Sequence, residues 1–187
     1  MRGELFTSAI SSNGLDRSTA RSNNSSGMKK TFLVSGLLFL LLSTQVLECQ
    51  ELTVQTDSGK QVLNRVQLEA LPHVKVTASD HSSSPVDFEG VTLKSVLEKA
   101  GVPFGESMKG KRLASCLLVE AADGYQVVIA LPELDPAFTD KQVVLTFLKA
   151  GKPLDEKEGP YRIVIPDEKR MARWVRQVTA LKIVGVQ

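Results

Sequence analysis

Apolar and polar residues alternate through Glu51–Thr56 ("ELTVQT") and again through His73–Ser79 ("HVKVTAS"), where Val74 and Val76 share one face. A period of two marks a half-buried strand. Between them, "DSGK" reads as a turn and "VQLEALP" as a short helix stopped by Pro72. "DHSSSP" is a loop and "VDFEG" a short strand ending at Gly90. The period then changes. In "TLKSVLEKAG", Leu93, Val96, Leu97 and Ala100 form one helical stripe, with Thr92 as cap and Gly101 as stop. Further on, "LASCLLVEA" and "YQVVIAL" flank "ADG", and Asp-Gly between apolar runs predicts a hairpin. "PELDPAF" reads as a turn or short helix. "KQVVLTFLKAG", "YRIVI" and "ALKIVGV" read as strands, with the polar loop "KPLDEKEGP" after the first. Many short strands with a few short helices predict a mixed α+β domain.

A different pattern lies upstream. From Met28 the chain reads "MKKTFLVSGLLFLLLSTQVLECQ": two lysines, an apolar run, then a polar stretch. This is the layout of a secretory signal peptide. The run is shorter than the ~20 residues a membrane span needs. Residues 28–50 are therefore expected to be an export signal of the Sec type, cleaved near residues 49–51. The product is then periplasmic or secreted, with no membrane attachment. Glu48 is neither small nor neutral, which disfavours lipidation at Cys49. Residues 1–27, rich in Ser and Asn, precede a signal that works at an N-terminus. We read them as a non-native or mis-assigned extension, and residues 51–187 as a single domain, long enough to bury its own core.

Charge changes the picture again. Residues 1–50 carry five of the 23 Lys/Arg and three of the 21 Asp/Glu, so the remainder, with 18 of each, is formally neutral. A nucleic-acid binder would carry a basic excess, and no nucleic-acid partner is expected. Cys116 is the one cysteine left after cleavage, so no intrachain disulfide forms, and its apolar run predicts a buried thiol. His73 and His81, with Asp80, are too few for a metal site that wants three or four converging ligands. HExxH, paired CxxC, GxSxG, P-loop and GxGxxG motifs are all absent.

Two stretches remain as candidate chemistry. "PDEKRMARWVRQ" crowds Lys169, Arg170, Arg173 and Arg176 around Trp174. Read as a helix, Met171, Trp174, Val175 and Val178 form an apolar stripe, and the cations solvate the other sides. Arg170 and Arg173, three apart, can instead converge on one anion. "ADGYQVV" puts Asp123 and Tyr125 at a hairpin mouth, either as plain turn chemistry or as the polar rim of a pocket.

"LEALPHVKVTAS", "VDFEGVTLKSVLEKAGV", "VEAADGYQVVIALPEL", "KAGKPLDEKEGPYRIVIP" and "ARWVRQVTALKIV" follow one another in an order and spacing that resemble the oxidoreductase molybdopterin-binding domain. The likeness is to the small exported bacterial members of that superfamily. It implies the sulfite-oxidase-like fold, an α+β domain with a mixed sheet and short helices. In the catalytic relatives a cysteine just after the strand resembling "HVKVTAS" helps hold molybdenum. That place is near residues 79–81 here and holds no cysteine. Arg173 before Trp174 matches a basic residue that helps hold the cofactor phosphate, although the Gly-containing loop before it is shortened to "DEKRMA". Molybdopterin enzymes of this family leave the cytoplasm folded, by a twin-arginine signal, whereas "MKK" lacks paired arginines.

The resemblance and the residues together lead us to expect a periplasmic ligand- or partner-binding module without the molybdenum cysteine. Its pocket is placed at Arg173, Arg170, Asp123, Tyr125 and His81, with no metal. No cofactor is expected, although the resemblance admits molybdopterin. The expected partner is a small anionic ligand or another exported protein. The alternative is a molybdopterin-dependent oxidoreductase with atypical metal ligation.

Overall fold

The computed structural model describes residues 50–80 and 84–185. The extension 1–27, the export signal up to residue 49, and His81 lie outside the described residues. The strand β1 (Glu51–Thr56) turns at Gly59 into β2 (Gly59–Asn64). Asn64 then caps the helix α1 (Arg65–Glu69): its side chain accepts from the Gln67 N–H, and the Gln67 side chain returns the bond to Asn64. This reciprocal capping satisfies two backbone donors at the start of a five-residue helix, which Leu68 anchors in the core. Next come β3 (His73–Ser79), β4 (Pro85–Thr92) and the helix α2 (Leu93–Lys99), with Thr92 accepting from Ser95 N–H as the sequence predicts. The hairpin of β5 (Cys116–Ala121) and β6 (Gln126–Ala130) follows. The chain ends in β7 (Val144–Lys149), β8 (Lys152–Pro153), β9 (Arg162–Val164) and β10 (Val178–Val184).

Two sheets result. One has the order β2-β1-β10-β5-β6, with β1 and β10 parallel and its other neighbours antiparallel. The other runs β3-β4-β7-β8, with β9 also paired to β7. Leu52, Val54, Leu117, Val119, Ile129 and Leu181 line the core side of the first sheet. Phe88, Val91, Leu145, Phe147 and Ile163 supply the second, and the α2 stripe of Leu93, Val96, Leu97 and Ala100 is buried as its spacing predicts. Where β4 meets β7 the register shifts between Glu89 and Gly90. A Cβ built on Gly90 would lie 2.1 Å from the Leu145 carbonyl oxygen, so only glycine lets these backbones approach.

Three expectations need correction. β2 was not foreseen: it is an edge strand with one buried residue, Leu63, and so carries almost no apolar signal. Cys116 is half-buried, not buried, because Leu117 and Val119 take the core face and turn it to the other side of β5. The stretch around Trp174 is not an α-helix. It holds one 3-10 turn, Met171–Arg173, and then runs beside β9. The Val175 carbonyl accepts from Ile163 N–H at 2.8 Å and Val178 N–H donates to the Tyr161 carbonyl at 2.9 Å, bonds a helix would have spent internally. Trp174, Val175 and Val178 are nonetheless buried and Met171 packs against the core, so the apolar positions are right and their geometry is not.

Candidate functional site

The β5–β6 turn, the loop after β8, β9 and the segment after Met171 surround a cleft of about 700 Å³. Each wall has a local cause. At the turn, Asp123 accepts from Tyr125 N–H at 2.9 Å and Gly124 takes a φ of 84°, which its lack of a Cβ permits. Tyr125 then reaches across and donates its hydroxyl to the Ala172 carbonyl at 2.7 Å, tying the hairpin to the 3-10 turn. Gln177 has a φ of 50°, uncommon outside glycine. Three bonds hold it there: its N–H donates to the Glu158 carbonyl, its carbonyl accepts from Ala122 N–H, and its side-chain amide donates to the Glu156 carbonyl.

Behind these walls sits a buried charge cluster. Arg162, 2% exposed, extends from β9. Its two terminal nitrogens donate to the Asp80 carboxylate at 3.2 and 3.3 Å, and one also meets Glu158 at 2.8 Å. Lys149 joins the same carboxylates, 2.7 Å from Asp80 and 3.0 Å from Glu158. Two cations and two anions thus neutralise one another, which low-dielectric surroundings demand. Burial pulls the Lys149 pKa down, but the bonds to Asp80 and Glu158 outweigh it and leave it raised. The Arg162 guanidinium also lies 5.4 Å from the ring centres of both Phe88 and Trp174. Its Nε–H has no hydrogen-bond partner among the described residues, and the two aromatic faces are what surround the group instead.

The structure brings Asp123 and Tyr125 together on the cleft wall. It does not bring Arg170 or Arg173 there. Arg170 is exposed, and the Arg173 guanidinium is held by Glu168 through a very short contact and by Glu133 at 3.4 Å. Those contacts raise the Arg173 pKa, Glu168 contributing most. Burial works to raise the Glu133 pKa, but the bonds from Arg173 and Lys141 win and lower it. These two carboxylates both engage one terminal nitrogen of Arg173, whose side chain keeps 27% of its surface exposed. The cations that do line the cleft are Arg162, Lys157 and Arg176. In "GPYRIVIP" the signal for Arg162 is a charge inside an apolar run, since such a charge needs buried partners.

The donors do not suit a thiolate-held molybdenum. Asp80 stands at the end of β3, in the region where the resemblance places the metal's cysteine, and its carboxylate is spent on Arg162 and Lys149. Cys116 and the cleft residue Ala121 are at opposite ends of β5, about 17 Å apart at strand spacing. Among the described residues no three His, Cys, Asp or Glu side chains group as metal ligands. His73 is occupied by Glu89 at 3.1 Å and the Glu69 carbonyl at 3.0 Å.

One mixed and one antiparallel sheet, few and short helices, and a polar cleft beside the β5–β6 turn define an α+β domain of the sulfite-oxidase-like kind. The family described as "Oxidoreductase molybdopterin binding domain" matches residues 44–185, and the chain belongs to it. Among solved structures it is similar to the sulfane dehydrogenase SoxCD from Paracoccus pantotrophus, with a TM-score of 0.56 and 20% identity. That match covers 73% of this chain and 39% of the SoxCD chain, so the present chain spans well under half of it. A search of curated proteins found no match.

Proposed function

We propose that this chain is an exported binding module of the molybdopterin-binding-domain family that works without thiolate-held molybdenum. The observation carrying this reading is Asp80: the end of β3 offers a carboxylate already committed to Arg162 and Lys149, not a free sulfur. A metal ligand there would have to break that cluster and leave the buried Arg162 and the half-buried Lys149 with Glu158 alone. The cleft then serves recognition. Its rim carries Arg176 and Lys157, which have no ion pair among the described residues, beside Asp123 and Glu156. The two cations and two carboxylates of this rim cancel, and the mixed rim suits a small anion met by Arg176 and Lys157 or a polar segment of another exported protein.

The test is metal and pterin analysis of the protein recovered from the exported fraction of its native host. Molybdenum far below one atom per chain, with no oxidised pterin fluorescence, is the expected result. Stoichiometric molybdenum together with pterin overturns the reading and returns the chain to an oxidoreductase with atypical ligation.

A further inference from the structure

Each five-stranded sheet leaves strand edges open, and the edges differ in how they are guarded. β2 carries Lys60, β3 carries His73 and Lys75, and β8 is the dipeptide Lys152–Pro153. Charge and proline at an edge discourage pairing with another chain. β6, sequence QVVIA, has neither.

The hydrogen-bond pattern fixes what β6 presents. Ala121 N–H donates to the Tyr125 carbonyl at 2.9 Å, and Leu131 N–H donates to the Ser115 carbonyl at 3.0 Å. Bonded and non-bonded pairs alternate in an antiparallel ladder. The bonded pairs within the hairpin are therefore Val119–Val127 and Leu117–Ile129, and the non-bonded ones are Glu120–Gln126, Leu118–Val128 and Cys116–Ala130. The backbone N–H and C=O of Gln126, Val128 and Ala130 consequently point away from β5. They have no backbone partner among the described residues. Val128, at the centre of the strand, is 52% exposed.

We propose that β6 is a self-association edge, where a second copy of this chain pairs antiparallel about a two-fold axis at Val128. In that register Val128 exchanges both bonds with Val128 of the second copy, and Gln126 exchanges both with Ala130. Every outward donor of each copy meets an outward acceptor of the other. No charges oppose one another, because the strand has none. The side-chain row across the outer face already runs Lys182, Leu118, Val128. It continues into Val128 and Leu118 of the second copy, an apolar stripe closed by a lysine at each end. A symmetric dimer needs such a self-complementary patch, and the uncharged, centred strand supplies it.

Sedimentation equilibrium of the full chain tests this against a control on the opposite edge. The wild type should dimerise reversibly. Val128→Glu, which sets two carboxylates face to face, should weaken the dimer by about a hundredfold. Val62→Glu on β2, where Val62 is 45% exposed, should leave it unchanged. Val128→Cys in a Cys49→Ser, Cys116→Ser background should cross-link under mild oxidation, since bonded antiparallel Cα atoms lie about 5.5 Å apart, within disulfide reach. Val62→Cys should not. A wild type that sediments as a monomer throughout overturns the proposal. So does a dimer indifferent to Val128→Glu, or one that cross-links through Val62.

Discussion

Replacing Asp80 by alanine tests the charge cluster directly. The substitution removes both acceptors of the Arg162 fork and one of the two carboxylates serving Lys149. A balanced set of two cations and two anions becomes two cations sharing Glu158. The side chains of Asp80 and Arg162 are 6% and 3% exposed, so water cannot take over. Breaking a buried pair from one side costs about 3–5 kcal/mol. With a urea dependence of about 2 kcal/mol per molar for a domain of this size, the midpoint should fall by about 2 M. Trp174 is the only tryptophan and its ring centre lies 5.4 Å from the guanidinium, so its fluorescence follows unfolding at the site. Adding Arg162→Met to Asp80→Ala should recover part of the loss, because the orphaned charge goes too. A midpoint shift under about 0.5 M, or a double variant weaker than the sum of the single ones, would refute the reading that the cluster is held by mutual neutralisation.

Gly90→Ala should cost upwards of about 3 kcal/mol or prevent folding, since its Cβ would meet the backbone of β7 and no side chain can yield, and a thermal melt reads this directly. Arg173→Ala removes the partner of Glu168 and Glu133 at a half-buried position and should cost about 1 kcal/mol in urea titration. It should also change the acid limb. Glu133 has a lowered pKa, so its contribution is present above the ordinary glutamate range and is lost as pH falls through its folded value. Without Arg173 that loss should shrink, and a wild-type-like acid limb in the variant would show that the clamp contributes nothing.

Local chemistry was legible and long-range chemistry was not. The Asp-Gly turn, the Thr92 cap and the α2 stripe each depend on residues within a few positions, and each forms as read. The cluster at Arg162 depends on Asp80, 82 positions away, and Lys149 on that same carboxylate at 69. No local pattern encodes such a pairing. Arg173 is the instructive case. Its place before Trp174 marks it as a candidate, and Glu168, five positions away in the same stretch, is a partner that local spacing allows. Glu133, 40 positions back, is one that only the fold delivers. The α-helix predicted around Trp174 fails for a related reason. The bonds from Ile163 to Val175 and from Val178 to Tyr161 are tertiary, and they outcompete a helix that β-branched Val175 and Val178 would support poorly.

The parallel pairing of β1 with β10 has a temporal meaning. β10 stands in the middle of its sheet, between β1 and β5, although it comes latest of the strands in the chain. The β1–β2 and β5–β6 hairpins can form early but have no sheet to join until β10 emerges. Thr53 must wait for Ala180, a contact of very high sequence separation, and such contacts close slowly. The sheet therefore assembles around its central strand late: both hairpins stay unjoined, each with an open edge, until β10 docks between β1 and β5.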